Sequence, residues 1–508
     1  MSAPRPETIL IRGADVLTMA AGDNPVPRRA DLLIEDGRIA GLGEVLPVPD
    51  GAQIVEAAGR LVMPGLVNAH LHSSEMFYRG RYERMPLESW LCWSYPFLGS
   101  SPVDLEMLRL RSLLVAIESL RSGVTMISDD FFDPPTQDIE RLGTVFKAYE
   151  DAGIRANVSS GLMNLPYLDT LAHARDVFPE EVQAQLDFPL TGAADYAAFC
   201  NEVFQSLHGR GNGRLRFMLA PSGPQRCSID LMQACRDFAR RWQVPYHTHV
   251  LETRTQAVTA DKLFGGSIVR FMRDHDLLGP EVLMAHAVWV SDEDIALMAE
   301  AGVSVSWNAL ANLKLGSGLA PVRRMLDAGI NLSLGTDGAS SNDTMRLFDV
   351  IRVAGLISTA TRAGPAQGLS AGEILQAATL GGARAAMLSE TTGSLEIGKQ
   401  ADLILLDPSG GTAFTPSSDT ARQLVYGENG SSVESVMVDG RFVIRDGVFV
   451  TLDEAAILAE IRDRMPAFLK MHETVEAANA FLVPLFEEVI GRCDGDRLST
   501  EGERRLPC

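Results

Sequence analysis

Eight short apolar runs alternate with helical patterns between residues 61 and 336, and few architectures accommodate that order. The runs cover 61–67, 124–128, 156–161, 215–220, 244–249, 282–286, 303–307 and 332–336. Strands separated by helical segments imply a parallel sheet covered by helices, and eight in succession predict an α/β chain closed as a (β/α)8 TIM barrel. One crossing helix is plain. Residues 105–120 carry apolar side chains at helical spacing and stop at Gly123, which can take the left-handed conformation that ends a helix. The stretch 166–205 is long for one connection and predicts an extra element over the barrel mouth.

Strand-rich blocks flank this alternation. Near the start, 8–13 and 31–39 read as strands with a tight turn at Asp36-Gly37; near the end, 401–406 and 433–443 repeat the pattern with Asp439-Gly440. Neither block is large enough to bury a core alone, so the two are predicted to close on each other as a small β-sandwich. The expected division is 1–60 for the first part of the sandwich, 61–395 for the barrel, 396–452 for its second part and 453–508 for a helical extension. Within the extension, 465–490 reads as an amphipathic helix interrupted at Pro484 and suited to clasping the barrel or packing on another subunit.

Composition narrows the partners. The chain has 508 residues, 46% of them hydrophobic, and a formal net charge of −21. Such a surface repels phosphate backbones and anionic membranes, so neither nucleic acid nor membrane is an expected partner. The six cysteines (92, 200, 227, 235, 493 and 508) form no Cys-x-x-Cys pair, disulfide framework or thiolate zinc site. Met1 to Pro6 lack the apolar region of a signal peptide, and no run approaches the roughly 18 apolar residues of a membrane helix, so a soluble cytoplasmic protein is expected.

The first run leads into Asn68-Ala69-His70-Leu71-His72. Positions two apart on a strand point the same way, so His70 and His72 can offer two imidazoles to one point in space. In a barrel of this kind the active site lies at the carboxyl ends of the strands. The fifth run ends His247-Thr248-His249-Val250-Leu251-Glu252, the sixth at His286, and the eighth in Gly335-Thr336-Asp337-Gly338. Each has an ordinary reading alone: Asp337 as a turn residue, His286 as a core histidine, Glu252 as a helix cap. Their joint placement at strand ends points to a metallohydrolase. The other four histidines, His173, His208, His275 and His472, read as surface or core residues.

These motifs resemble the amidohydrolase superfamily, in its cytosine deaminase-like and triazine hydrolase-like branch. The likeness includes Lys314-Leu315-Gly316-Ser317-Gly318, the stretch to Ser341-Asn342, and the late Gly398-Lys399-Gln400-Ala401-Asp402-Leu403. It implies one divalent metal on His70, His72, His249 and Asp337. Zinc is the first choice, with Fe(II) or Mn(II) also suited to such ligands. The fourth strand supplies no lysine or acid to bridge a second metal, so His286 is assigned to catalysis. His286 and Asp337 then take up a proton of the attacking water. Glu252 protonates a ring nitrogen of the substrate, and His247 orients a metal ligand.

The resemblance implies a hydrolytic deaminase of an aminated N-heterocycle: a pyrimidine, purine, pterin or triazine. Relatives of this kind commonly form homodimers or homotetramers. The same site could instead release chloride, nitrite or an alkylamine, or open a cyclic amide; an inactive scaffold is a remote third reading, because the inferred ligand set is complete. Two departures weigh against nucleoside-type substrates. Trp307 stands where many such deaminases have histidine, and 220–228 lacks their His-x-Pro. Gln225 or Arg226 in that loop and Ser341 are candidate substrate contacts. Trp90, Trp93 and Trp307 are candidates either to stack on a flat ring or to pack in a core or lid.

Overall fold

Hairpin chemistry builds the outer layer of the protein. A computed structural model describes residues 8–100, 102–133, 138–187, 190–360 and 365–498. Met1 to Pro6 and Cys508 lie outside the described residues. Strands β1 (Thr8–Val16), β2 (Arg28–Glu35), β3 (Arg38–Gly43), β4 (Gln53–Glu56) and β5 (Leu61–Pro64) form in sequence. Asp36 and Gly37, at φ 51° and 81°, turn β2 into β3 with the two positive φ values that suit the twist of a two-residue hairpin.

The alternating region gives eight parallel strands. β6 (Leu66–Leu71), β7 (Val124–Asp129), β8 (Arg155–Val158) and β9 (Leu215–Phe217) form one four-stranded sheet. β10 (Tyr246–Val250), β11 (Val282–His286), β12 (Ser304–Trp307) and β13 (Asn331–Leu334) form a second. The expected continuous ring of eight paired strands is thus observed as two sheets. At one seam the Leu219 carbonyl accepts from the His247 amide at 2.8 Å. At the other, a side chain replaces the ladder. Asn68 Nδ2 donates to Thr336 Oγ1 at 2.7 Å, and its Oδ1 accepts from the Thr336 amide at 3.0 Å.

The first run divides differently from expectation. Residues 61–64 are β5 of the outer layer, and the parallel strands begin only at Leu66. The break falls at Gly65, where a Cβ would lie 2.1 Å from Thr125 Oγ1, so no side chain fits between the layers. β14 (Leu403–Leu406), β15 (Val433–Val438), β16 (Arg441–Arg445) and β17 (Val448–Phe449) complete the outer layer. β14 pairs antiparallel with β5, which joins the two terminal blocks into one nine-stranded sheet. Ile9, Ile11, Leu403 and Leu405 share its separate apolar cluster.

The predicted helix over 105–120 is Leu105–Arg121, capped by Asp104, whose side chain accepts from the Met107 amide at 2.7 Å. The late amphipathic stretch is two helices, Glu454–Asn479 and Val483–Gly495, and not one interrupted helix. Pro484 lies in the first turn of the second, where its missing N–H costs nothing, and Pro466 lies inside the first. The stretch 166–205 forms short helices at Tyr167–Thr170, Ala174–Val177 and Glu180–Leu186 and a longer one, Ala193–Leu207. Among the described residues no helix is long and apolar enough to cross a membrane, and the five described cysteines are free thiols.

One buried ion pair locks the layers together. Arg155, at the start of β8, donates to Asp402 Oδ2 at 2.7 Å from Nε and to Oδ1 at 3.1 Å from Nη2; both residues are under 4% exposed. Asp402 Oδ1 also accepts from the Asp439 amide at 2.7 Å. This accounts for the aspartate of the late Gly-Lys-Gln-Ala-Asp motif. Asp402→Ala leaves a buried guanidinium unpaired and is expected to cost about 3–5 kcal/mol. Denaturant titration checks this; the Arg155→Met/Asp402→Leu double variant should recover much of the loss.

Candidate active site

The carboxyl ends of the parallel strands place the polar residues together, and the backbone there is unusual. His286, Ala287 and Asp337 hold φ of 73°, 49° and 64°, a left-handed conformation uncommon outside glycine and often concentrated at functional sites. The flanking glycines are dictated by crowding. A Cβ on Gly335 would meet Asn308 Oδ1 at 2.4 Å and the His70 Cβ at 2.9 Å, and one on Gly338 would lie 1.8 Å from Glu75 Oε2. The Asp337 amide donates to the His70 carbonyl at 3.0 Å, fixing the last strand's exit beside the first.

Four side chains meet at one point. His70 Nε2 lies 3.2 Å and His72 Nε2 3.4 Å from Asp337 Oδ1, and the His72 and His249 Nε2 atoms are 3.2 Å apart. Backbone carbonyls set two tautomers: His72 Nδ1 donates to the Asp130 carbonyl and His249 Nδ1 to the Ser222 carbonyl, each at 2.8 Å. Both Nε2 atoms therefore face the shared point. His70 is fully buried, and its Nδ1 has no hydrogen-bond partner. Burial pushes His70 down to about 4 and holds His249 well below the ordinary range, so both are neutral imidazoles able to ligate. Burial also disfavours charge on His72, but the carboxylates of Asp130, Asp337 and Glu75 outweigh it and lift that ring to about 9. Neutral imidazoles, an orphaned buried nitrogen and an excess of carboxylates fit a divalent cation. Geometric groupings able to hold one include His70, His72 and Asp337, and His70, His249 and His286.

His247 is buried beside this point but belongs to no such grouping. Its ring stacks on His70 at 4.8 Å and 15°. His286 donates from Nδ1 to Asn312 Oδ1 at 2.8 Å, which leaves Nε2 as the basic nitrogen. Glu252 is 3% exposed and lies 3.7 Å from His286; burial raises its carboxyl above the usual range.

A cavity of about 330 Å3 opens over these groups, with His72, His249, Glu252, His286 and Asp337 in its wall. Trp90 and Arg226 line it. Trp93, Gln225, Trp307 and Ser341, the other candidate substrate contacts, do not. Trp93 faces a separate surface depression with Arg81 and Glu476. Trp307 is 2% exposed within the main apolar core. Gln225 is 2% exposed, and Ser341 spends its hydroxyl on the Gly338 carbonyl at 3.0 Å. Of the remaining histidines, His173 meets Asp496 at 2.7 Å and His472 meets the Tyr82 hydroxyl at 2.7 Å, both structural contacts.

Three participants were not singled out in the sequence. Asp130, just past β7, has its carboxylate within 4.0 Å of His72, His247 and His249 and accepts from Ser159 Oγ at 2.8 Å. Its signal was available: an acid at the end of the second parallel strand. Asn312 orients His286 from a helix. Glu75 is buried behind Asp337, accepting from Tyr95 at 3.0 Å and Ser340 Oγ at 2.7 Å.

Comparison with known proteins agrees with this architecture. The profile of the amidohydrolase family matches residues 61–443, and the chain belongs to that family. A 5'-deoxyadenosine deaminase of Methanosarcina mazei is 34% identical over 452 residues, covering 89% of this chain and 96% of the relative. A 5-methylthioadenosine/S-adenosylhomocysteine deaminase of Desulforudis audaxviator is 32% identical, covering 89% and 97%. Among solved structures, atrazine chlorohydrolase of Arthrobacter aurescens complexed with zinc superposes with a TM-score of 0.80 at 28% identity, covering 90% of this chain and all of that one. A zinc-bound adenosine deaminase from Xanthomonas campestris does so at 0.78 and 26%, covering 92% and all of that chain.

The two histidines of β10 are expected to separate experimentally. His249→Ala should lose bound metal, whereas His247→Ala should retain it with affinity lowered about 10- to 100-fold. Elemental analysis after dialysis against a graded chelator checks both.

Proposed function

We propose that this protein is a mononuclear metal-dependent deaminase that removes the exocyclic amino group of an N-heterocycle. The observation that carries the reading is the convergence of His70, His72, His249 and Asp337 on one point, with Glu252 and His286 beside it on the floor of the same cavity. Those four would hold the metal, zinc in the first place and Fe(II) or Mn(II) next. When bound, such an ion lowers the pKa of water toward about 7.

The chain's own groups do the rest. His286, oriented by Asn312, accepts a proton at Nε2, and Asp337 Oδ2 shares that task. Glu252, whose carboxyl burial shifts toward the protonated form, donates to a ring nitrogen and leaves the adjacent carbon electron-poor. The water oxygen adds to that carbon, the proton taken from it returns to the amine, the C–N bond breaks with release of ammonia, and the remaining hydroxyl proton passes to Glu252 as the carbonyl forms. His247 and Asp130 orient the ligand rings. Trp90 and Arg226 are the substrate contacts that the cavity supports.

The named relatives direct the substrate class to adenine nucleosides, despite the loop and Trp307 departures. A second reading keeps the site and changes the leaving group; the likeness to atrazine chlorohydrolase is what favours it. The same proposal takes the two parallel sheets as one (β/α)8 barrel within 61–395. It takes the flanking blocks 1–60 and 396–452, joined by β5 at 61–64, as one β unit and 453–508 as a helical extension. The seam hydrogen bonds and the β5–β14 pairing support that division.

The metal-loaded protein is expected to release ammonia from a member of a panel of aminated purines, pyrimidines, pterins and triazines, adenine nucleosides first. Asp337→Asn should abolish release. Glu252→Gln should lower turnover by about 10²- to 10⁴-fold while metal content is unchanged. Full turnover by the latter would remove Glu252 from the mechanism.

A further inference from the structure

The two C-terminal helices lie beyond the residues that match the amidohydrolase family, yet they back the wall of the cavity. Asn479 closes the first of them and is fully buried. Its Oδ1 accepts from the Leu98 amide at 3.0 Å, and its Nδ2 donates to the Leu98 carbonyl at 2.8 Å and to the Val475 carbonyl at 2.8 Å. A carboxamide that pairs with both backbone groups of one residue fixes that residue as a sheet rung would. Leu98 is flanked by Pro96, Phe97 and Gly99, all of which line the cavity.

The second helix acts by packing. Phe486 is fully buried, with its ring 5.6 Å from Phe97 at 26° and 6.0 Å from Tyr167. Phe97 and Tyr167 are both cavity residues. A further tie holds the chain ahead of the helix that leads into this loop, Leu87–Ser94: Arg81 forks onto Glu476 at 2.7 and 2.6 Å. The floor of the cavity is built differently, from the ends of the parallel strands. Its outer wall therefore depends on a part of the chain that does not build the reacting groups.

We propose that Asn479 and Phe486 are positioning residues that set the outer wall of the substrate cavity and so select the substituent carried by the aminated ring. The inference rests on the deaminase reading above and deepens it. A substrate whose atoms end at the ring contacts the floor, whereas one with a sugar extends to Phe97 and Tyr167. Loosening the wall should therefore weaken binding of the longer substrate without slowing the chemistry.

The test compares 5'-deoxyadenosine with free adenine in the metal-loaded wild type, Asn479→Ala and Phe486→Leu. For the nucleoside, KM is expected to rise about tenfold with kcat within about twofold, and adenine kinetics should stay within about twofold. Hydrogen exchange of the peptide spanning 95–100 should rise in Asn479→Ala while the strand-end peptides stay protected. Equal losses on both substrates, a fall in kcat alone, or unchanged nucleoside KM in both variants would overturn the proposal. A wild type inactive on both probes would instead sink the adenine-nucleoside assignment within the deaminase reading. Exchange then decides: an increase confined to 95–100 sustains the positioning, and no increase ends it.

Discussion

The site depends on a seam where the backbone ladder is replaced by the Asn68 carboxamide. Its two hydrogen bonds to Thr336 hold the first parallel strand against the exit of the last. His70 and Asp337 sit within two residues of that junction, and the Asp337 amide bonds the His70 carbonyl directly. Residues at opposite ends of the alternating region thereby meet at hydrogen-bonding distance. Gly335 is needed for the same reason: the strands approach too closely for a Cβ. The close contact and the left-handed Asp337 that follows are two consequences of one junction.

Charge is the second constraint. Asp130, Glu75, Glu252 and Asp337 are all buried around rings that burial would keep neutral. Desolvation raises Glu75 to about 7 and Asp130 to about 6. Such a cluster is costly without a cation, so metal binding and stability of the folded state are linked: an ion that binds only the folded chain stabilises it by mass action. The carbonyls of Asp130 and Ser222 bond the Nδ1 atoms of His72 and His249 and so turn the opposite edges of those rings toward the point where an ion would be held.

The cavity divides into a polar floor and a largely apolar upper wall with one guanidinium, Arg226. The floor descends from the strands shared with the amidohydrolase family. The wall is assembled from loops and the short helix Leu87–Ser94, backed by helices that follow the family region. This division places the polar groups on the parallel strands and the cavity's shape on the segments that cover them.

Local signals were enough for much of this. Alternation of apolar runs with helical periodicity predicted the parallel strands, and the Asp-Gly pairs predicted the hairpins, because both depend on neighbours in sequence. His70, His72, His249, Glu252, His286 and Asp337 were legible for a related reason: a parallel β/α arrangement brings all strand ends to one face, so polar residues at those ends must converge. Tertiary structure alone decided the rest. Whether 61–64 belonged to the inner or outer layer depended on the distant β14. Which tryptophan reached the cavity depended on how loops pack over the strands, and only Trp90 did so. Asp130, Asn312 and Glu75 gained their roles from partners far away in the chain, as did Asn479 its hold on Leu98. Periodicity reports the face a residue occupies; it carries no record of what the opposing element places there.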